Sequence, residues 1–167
     1  STWLFIKSDN FEINETSESA TQETFSVNGI NSTSVTETFD GKKNHKYKHI
    51  FHKGNYNFDS NSGLNTPNNA PGLYLSSTNN SILVLMNTHD TPTPNSTENK
   101  DSIGSHIPES ITIEDIPLEK WINVIIRISN QKQLDVYING TLVKREILKG
   151  VPRQNYGDVY VTRNGGF

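Results

Sequence analysis

Glu114, Asp115 and Glu119 are the nearest approach in this chain to a catalytic carboxylate pair. Retaining glycoside hydrolysis needs two carboxyl groups about 5–5.5 Å apart on one face. Neighbouring residues of a strand point to opposite faces, so Glu114 and Asp115 do not share one. Pro117 then interrupts any strand before Glu119 is reached. All three read as loop carboxylates, and no catalytic residue is assigned. His45, His49 and His52 raise zinc chemistry instead. Their spacing would align on a helix, but the surrounding residues read as strand, where His49 and His52 face opposite ways. Zinc also wants a third or fourth ligand. They read as ordinary surface histidines, and no metal ligand is assigned. His89 and His106 lie in or beside loops without an obvious partner.

Two further sets of residues could act at a surface. Tyr56 and Phe58 sit in a polar loop and could stack on a sugar ring, whereas Trp3 and Trp121 read as core, the commoner fate of aromatics in a sandwich. Asn14, Asn31, Asn79, Asn95 and Asn139 each begin an N-x-[ST] triplet. Such triplets matter only in a secreted chain. A chain this rich in Asn, Ser and Thr also makes them by chance.

Composition narrows the function classes. The net charge is −3 with the charges interspersed, so no basic stripe exists to follow a phosphate backbone, and nucleic-acid binding is disfavoured. There is no cysteine, which removes disulfides, thiolate metal sites and cysteine nucleophiles together. No apolar run is long enough to span a bilayer. At 167 residues the chain reads as one domain, residues 1–167. A domain of that size buries about 70% of its unfolded surface. It opens directly in a strand-like segment without an initiator Met, and is expected to be cut from something longer.

The elements that position these residues are strands. Ile122, Val124, Ile126 and Ile128 alternate with Trp121, Asn123, Ile125 and Arg127, the period of a half-buried strand. A polar turn leads to Leu134, Val136 and Ile138, alternating with Asp135 and Tyr137. Asn139-Gly140 then closes a hairpin, because a type I′ turn needs φ > 0 at both central positions. This predicts Ile138 opposite Thr141, Tyr137 opposite Leu142, Val136 opposite Val143 and Asp135 opposite Lys144. Upstream, Trp3 to Ile6, Tyr47 to Lys53, Gly72 to Ser76, Ser81 to Asn87 and Ser110 to Glu114 read as strands. The one containing Leu83 and Leu85 between Ile82, Val84 and Met86 is apolar on both faces and therefore central. Residues 14–40, 55–70 and 88–105 read as long polar loops.

A Trp opening a strand, a polar turn and a Leu-x-Val-Tyr-Ile-Asn-Gly hairpin resemble the laminin-G-like branch of the concanavalin A-type lectin/glucanase superfamily. The matching residues are Trp121, Val124, Ile126, Leu134, Val136, Tyr137, Ile138, Asn139 and Gly140. Ile50 to Gly54, Pro71 to Leu75 and Asp158 to Val161 before Gly165-Gly166-Phe167 are similar in order. The resemblance covers roughly residues 47–167 well and 1–46 poorly. The sub-pattern is most similar to proteins of large double-stranded DNA viruses of protists. The resemblance implies an all-β jelly-roll sandwich of two antiparallel sheets with long polar loops and little helix. It further implies a non-catalytic module, a structural component of a virion or cell surface acting through protein–protein contacts. A carbohydrate-binding adhesion module is the alternative. Glycan hydrolysis is argued against, because the catalytic carboxylate pair of the superfamily's glucanases has no counterpart here. Domains of this kind often hold calcium or sugar at loop rims. Asp59, Asn61, Asp90 and Asp101 could supply oxygens, but no loop carries a dense acidic ladder. The reading is no cofactor, with rim calcium as the alternative.

Overall fold

A computed structural model describes residues 1–11, 24–27, 30–33, 46–57, 59, 62–65, 68–89 and 106–162. In chain order the strands are β1 (Thr2–Phe5), β2 (Thr24–Val27), β3 (Ile30–Thr33), β4 (Tyr47–Gly54), β5 (Asn69–Ser76) and β6 (Ser81–His89). They continue with β7 (His106–Glu114), β8 (Trp121–Ser129), β9 (Gln133–Ile138), β10 (Thr141–Ile147), β11 (Val151–Pro152) and β12 (Asp158–Val161). Among the described residues the only helical structure is a 3-10 turn at Ser8–Phe11.

Two antiparallel sheets stack face to face. One has the order β1-β8-β9-β10. The other runs β12-β4-β5-β6, with β7 along the far side of β6 and β11 pairing Thr88 and His89 where β5 has ended. Strands β2 and β3 pair with each other. Between the two main sheets lies one apolar core. Leu4, Ile122, Val124, Leu134, Val136 and Ile138 come from the four-stranded sheet, and Ile50, Leu73, Leu75, Ile82, Val84, Met86, Ile111 and Ile113 from the other. This is an all-β sandwich of two antiparallel sheets, built from the strands that the alternation predicts. Strand β6 is buried on both faces: Leu83 and Leu85 leave the main core and join Tyr74 in a second cluster on the outer face.

The hairpin turn forms as read, with Asn139 at φ 51° and Gly140 at φ 80°. Thr141 opposes Ile138 and Leu142 opposes Tyr137. The register then corrects the simple alternation. A bulge at Val143 moves Lys144 opposite Val136 and Arg145 opposite Asp135. Val143 is consequently half-exposed rather than paired with Val136. The bulge places a planar guanidinium where an ammonium would have stood. Arg145 Nε donates to Asp135 Oδ1 at 2.7 Å and Nη2 to Oδ2 at 3.1 Å, the two-pronged geometry that suits Arg and not Lys. With Gln133 Nε2 also donating, the Asp135 carboxylate is covered to 1% exposure. The Arg145 hydrogen bonds hold its pKa below the usual carboxylate range, against the effect of burial. The same bulge turns Lys144 and Glu146 to the face of Val136 and Leu134, so charges line the inner side of this edge strand.

Trp3 and Trp121, read as core, are 65% and 64% exposed. Strand parity is the reason. Leu4 and Ile122 face each other toward the core, which forces Trp3, Phe5, Trp121 and Asn123 to the outer face.

Glu109 on β7 ties the β10–β11 connection to the six-stranded sheet. Its carboxylate accepts from Lys149 N at 2.7 Å, Gly150 N at 3.0 Å and Thr88 Oγ1 at 2.7 Å. A Cβ at residue 150 would lie 2.2 Å from His89 O, so only glycine allows this approach. Partial burial raises the Glu109 pKa, but the Gly150, Lys149 and Thr88 hydrogen bonds outweigh it and the net direction is down.

Two outcomes follow. Ile122→Ala is expected to cost about 2–5 kcal/mol, as a cavity at a fully buried site, and Val143→Ala under about 1 kcal/mol. Urea unfolding midpoints at constant m-value read both. A carboxylate with a lowered folded pKa stabilises above its unfolded value, about 4.3 for Glu, and ceases to as pH falls through the folded value. Glu109→Gln should therefore flatten the acid limb of the thermal midpoint measured between about pH 3 and 6. An unchanged acid limb would refute the tether.

Candidate functional site

The polar residues that gather lie on the outer face of the six-stranded sheet and on the rim above it. Strand β4 sets this up. Its register shifts between His49 and Phe51, so one extra residue is inserted opposite β5. Such a bulge breaks the two-residue repeat. Ile50 and the adjacent Phe51 both pack on the main core, and His49 and His52 come to the same outer face. They are 2% and 0% exposed, so the surface-histidine reading is corrected on both burial and direction.

His49 Nε2 and His52 Nδ1 are 2.7 Å apart, and His52 Nε2 lies 2.9 Å from Asn55 O. A carbonyl only accepts, so His52 carries its proton on Nε2. Its Nδ1 then offers a lone pair, and His49 donates from Nε2. The pair continues as a row of rings. Tyr74 meets His49 edge-on at 5.5 Å, Tyr160 stacks on His52 at 5.0 Å, and Tyr56 meets Tyr160 edge-on at 5.7 Å. At the buried end, Tyr74 OH accepts from Asn69 Nδ2 at 2.6 Å and from Asn65 N at 3.2 Å. Burial raises the Tyr74 pKa further than these bonds lower it. At the open end, Tyr56 is 64% exposed.

Beside that open end is a groove of about 300 Å³ lined by Gly54, Asn55, Asn68, Arg153, Gln154, Asn155, Tyr156 and Gly157. Side-chain amides hold its walls. Asn155 Nδ2 donates to Lys53 O at 2.7 Å, and its Oδ1 accepts from Gly157 N at 2.8 Å. Lys53 Nζ returns a hydrogen bond to Asn155 O, and Asn68 Nδ2 donates to Asn55 Oδ1. Tyr156, at the groove, is 85% exposed.

The residues singled out from sequence distribute as follows. Tyr56 stands at this rim. Phe58, His45, Asn61, Asp90, Asp101, Asn14 and Asn95 lie outside the described residues. The Asp59 carboxylate accepts from Ser62 N and Ser62 Oγ within its own turn. His89 and His106 face each other across β6 and β7, at strand ends rather than in loops. Glu114 is exposed on β7, and Asp115 turns the chain at φ 54°. Glu119 accepts from Ser8 N at 2.7 Å and Ser8 Oγ at 2.9 Å, which lowers its pKa and fastens β1 to β8. Among the described residues, no three His, Cys, Asp or Glu side chains gather as metal ligands. Asn31 lies on β3 and Asn79 is exposed in the β5–β6 turn. Asn139 Oδ1 accepts from Asn123 N at 2.9 Å. Sequence reasoning missed the histidine pair and the Arg153–Gly157 wall. The signal for the first was the adjacent pair Ile50-Phe51 between two histidines, which a regular strand facing one core would not carry.

The chain matches no protein-family model and no curated protein.

The histidine row has a direct readout. Long-range ¹H–¹⁵N spectra should show both His49 and His52 as Nε2–H tautomers, and an Nδ1–H form of His52 would break the assignment. His52→Ala strands the Asn55 carbonyl and the Tyr160 ring. It should lower stability by about 1–3 kcal/mol in urea unfolding.

Proposed function

We propose that this chain is a non-catalytic, lectin-like module that binds a small carbohydrate unit at the rim groove, as a surface component of a large virus particle. The groove is the observation that carries the reading. Its volume of about 300 Å³ is at the lower end of small-ligand sites, which run to roughly 1,000 Å³. Asn, Gln and Arg side chains in its wall offer the directed donors and acceptors that hydroxyl groups require. An amide nitrogen carries two protons, so those already bonded within the wall retain one for a ligand. Tyr156 supplies a flat, amphipathic ring in its wall, and Tyr56, exposed, follows Asn55 of that wall in the chain. Walls fixed by Asn155 and the Asn55–Asn68 pair lose little freedom on binding, which favours affinity. The particle setting is supported by the hairpin's resemblance to laminin-G-like domains of large viruses.

A second reading is a virion structural component that works by protein–protein contact. A larger open groove favours it, about 690 Å³, between the end of β7 and the β9–β10 hairpin. Ile138 and Val143 line it with Glu114, Asp115 and Lys144, apolar side chains beside the charged groups that orient partners at an interface.

A glycan array separates the two. Binding should appear on the array and fall at least about tenfold in Tyr56→Ala and in Tyr156→Ala, each tenfold step being about 1.4 kcal/mol. Circular dichroism should stay unchanged, since both rings are largely exposed. An empty array, together with fixed stoichiometry of the chain in purified particles by mass spectrometry, would replace the first reading by the second.

A further inference from the structure

The outer face of the four-stranded sheet holds its aromatic side chains in the open. Phe5 pairs with Trp121, Trp3 with Asn123, and Ile125 with Tyr137, which in turn pairs with Leu142. These are three successive rows on one face. Trp3 is 65% exposed, Trp121 64% and Leu142 39%. Seven positions, in rows about 6.7 Å apart on strands about 4.8 Å apart, make a patch of roughly 225 Å². That is about a quarter of what one partner contributes to a standard protein interface.

The patch has a charged border. Lys7 and Lys120 stand at its Phe5–Trp121 end, and Arg127 and Arg145 at its Ile125–Tyr137 end; all four are exposed. Among the described residues, two carboxylates, Glu119 and Asp135, stand against these four cations, which leaves two net positive charges. Both carboxylates are already engaged, Glu119 by Ser8 and Asp135 by Arg145 and Gln133. The chain as a whole is at −3. A cation-bordered aromatic face on an acidic protein is a local arrangement, not a consequence of composition.

We propose that this face lies against an anionic membrane surface, with Trp3 and Trp121 seated at the headgroup level. Tryptophan favours that interface because its ring is apolar and its N–H is not. Lys and Arg are drawn to the negative potential of anionic lipid, and that attraction is screened within a Debye length. Face-to-face pairing with a second copy would bring two cationic borders together. A protein partner would find about a quarter of the usual area. A headgroup surface has neither difficulty: it is flat, extended and negative. This placement does not depend on the carbohydrate reading, since the rim groove belongs to the other sheet.

The two tryptophans on this face are the only two in the chain, so emission reports on it alone. The test is co-sedimentation of the whole chain with vesicles of phosphatidylcholine, with and without phosphatidylserine. Binding and a blue-shifted emission are expected with phosphatidylserine, weaker at high salt and weak with phosphatidylcholine alone. Trp3→Ala combined with Trp121→Ala should reduce binding at least about tenfold, and Lys7→Glu with Arg127→Glu should do so with both tryptophans retained. Three results would overturn the proposal: no binding to phosphatidylserine vesicles at low salt, binding that survives the Trp substitutions, or a concentration-dependent dimer that shifts the emission without lipid.

Discussion

The two-residue repeat of the strands decides what every face of this molecule presents, and one inserted residue on each of β4 and β10 breaks it. On β8 the repeat runs without interruption. It delivers Ile122 and Val124 to the core and Trp121 and Asn123 outward, regardless of how apolar the indole is. On β4 and β10 an extra residue reassigns those that follow it, on β4 until a second shift between His52 and Gly54. On β4 the result is a buried imidazole pair in place of one inward and one outward histidine. On β10 it is a guanidinium facing Asp135 in place of an ammonium. Neither insertion disturbs the core, because Ile50 with Phe51 and the Val136–Lys144 pair still fill or border it.

These two residues also mark how far the sequence could be read. The Asn139-Gly140 turn, the doubly buried β6 and the core strands were legible, because each rests on local dihedral preference or on apolar periodicity. The bulges were not, since an inserted residue leaves only a faint trace in a pattern of period two. The exposed tryptophans show a different limit. Alternation had already put Trp121 opposite Ile122, and only the general tendency of aromatics to be buried argued otherwise. Geometry on a strand is a hard constraint and residue preference a soft one, so the former prevails.

The rim was illegible for a third reason. Asn55, Asn68 and Asn155 look like ordinary loop residues in a chain rich in asparagine. Their role appears only when distant segments meet, as when Asn155 reaches Lys53 O. Amide side chains that bond backbone groups across a gap give irregular chain the stiffness that a ladder gives a sheet. The molecule thus combines one apolar core with a polar scaffold at the rim, and the histidine row links that rim, through the Asn55 carbonyl, to the outer-face cluster at Tyr74.

The inward-turned Lys144 and Glu146 have a consequence for life at high density. A strand free on one side is a template for the next molecule at high concentration. Here an incoming strand would have to desolvate two opposite charges and follow a kinked backbone at Val143. Crowded copies can therefore sit shoulder to shoulder without zipping into fibres.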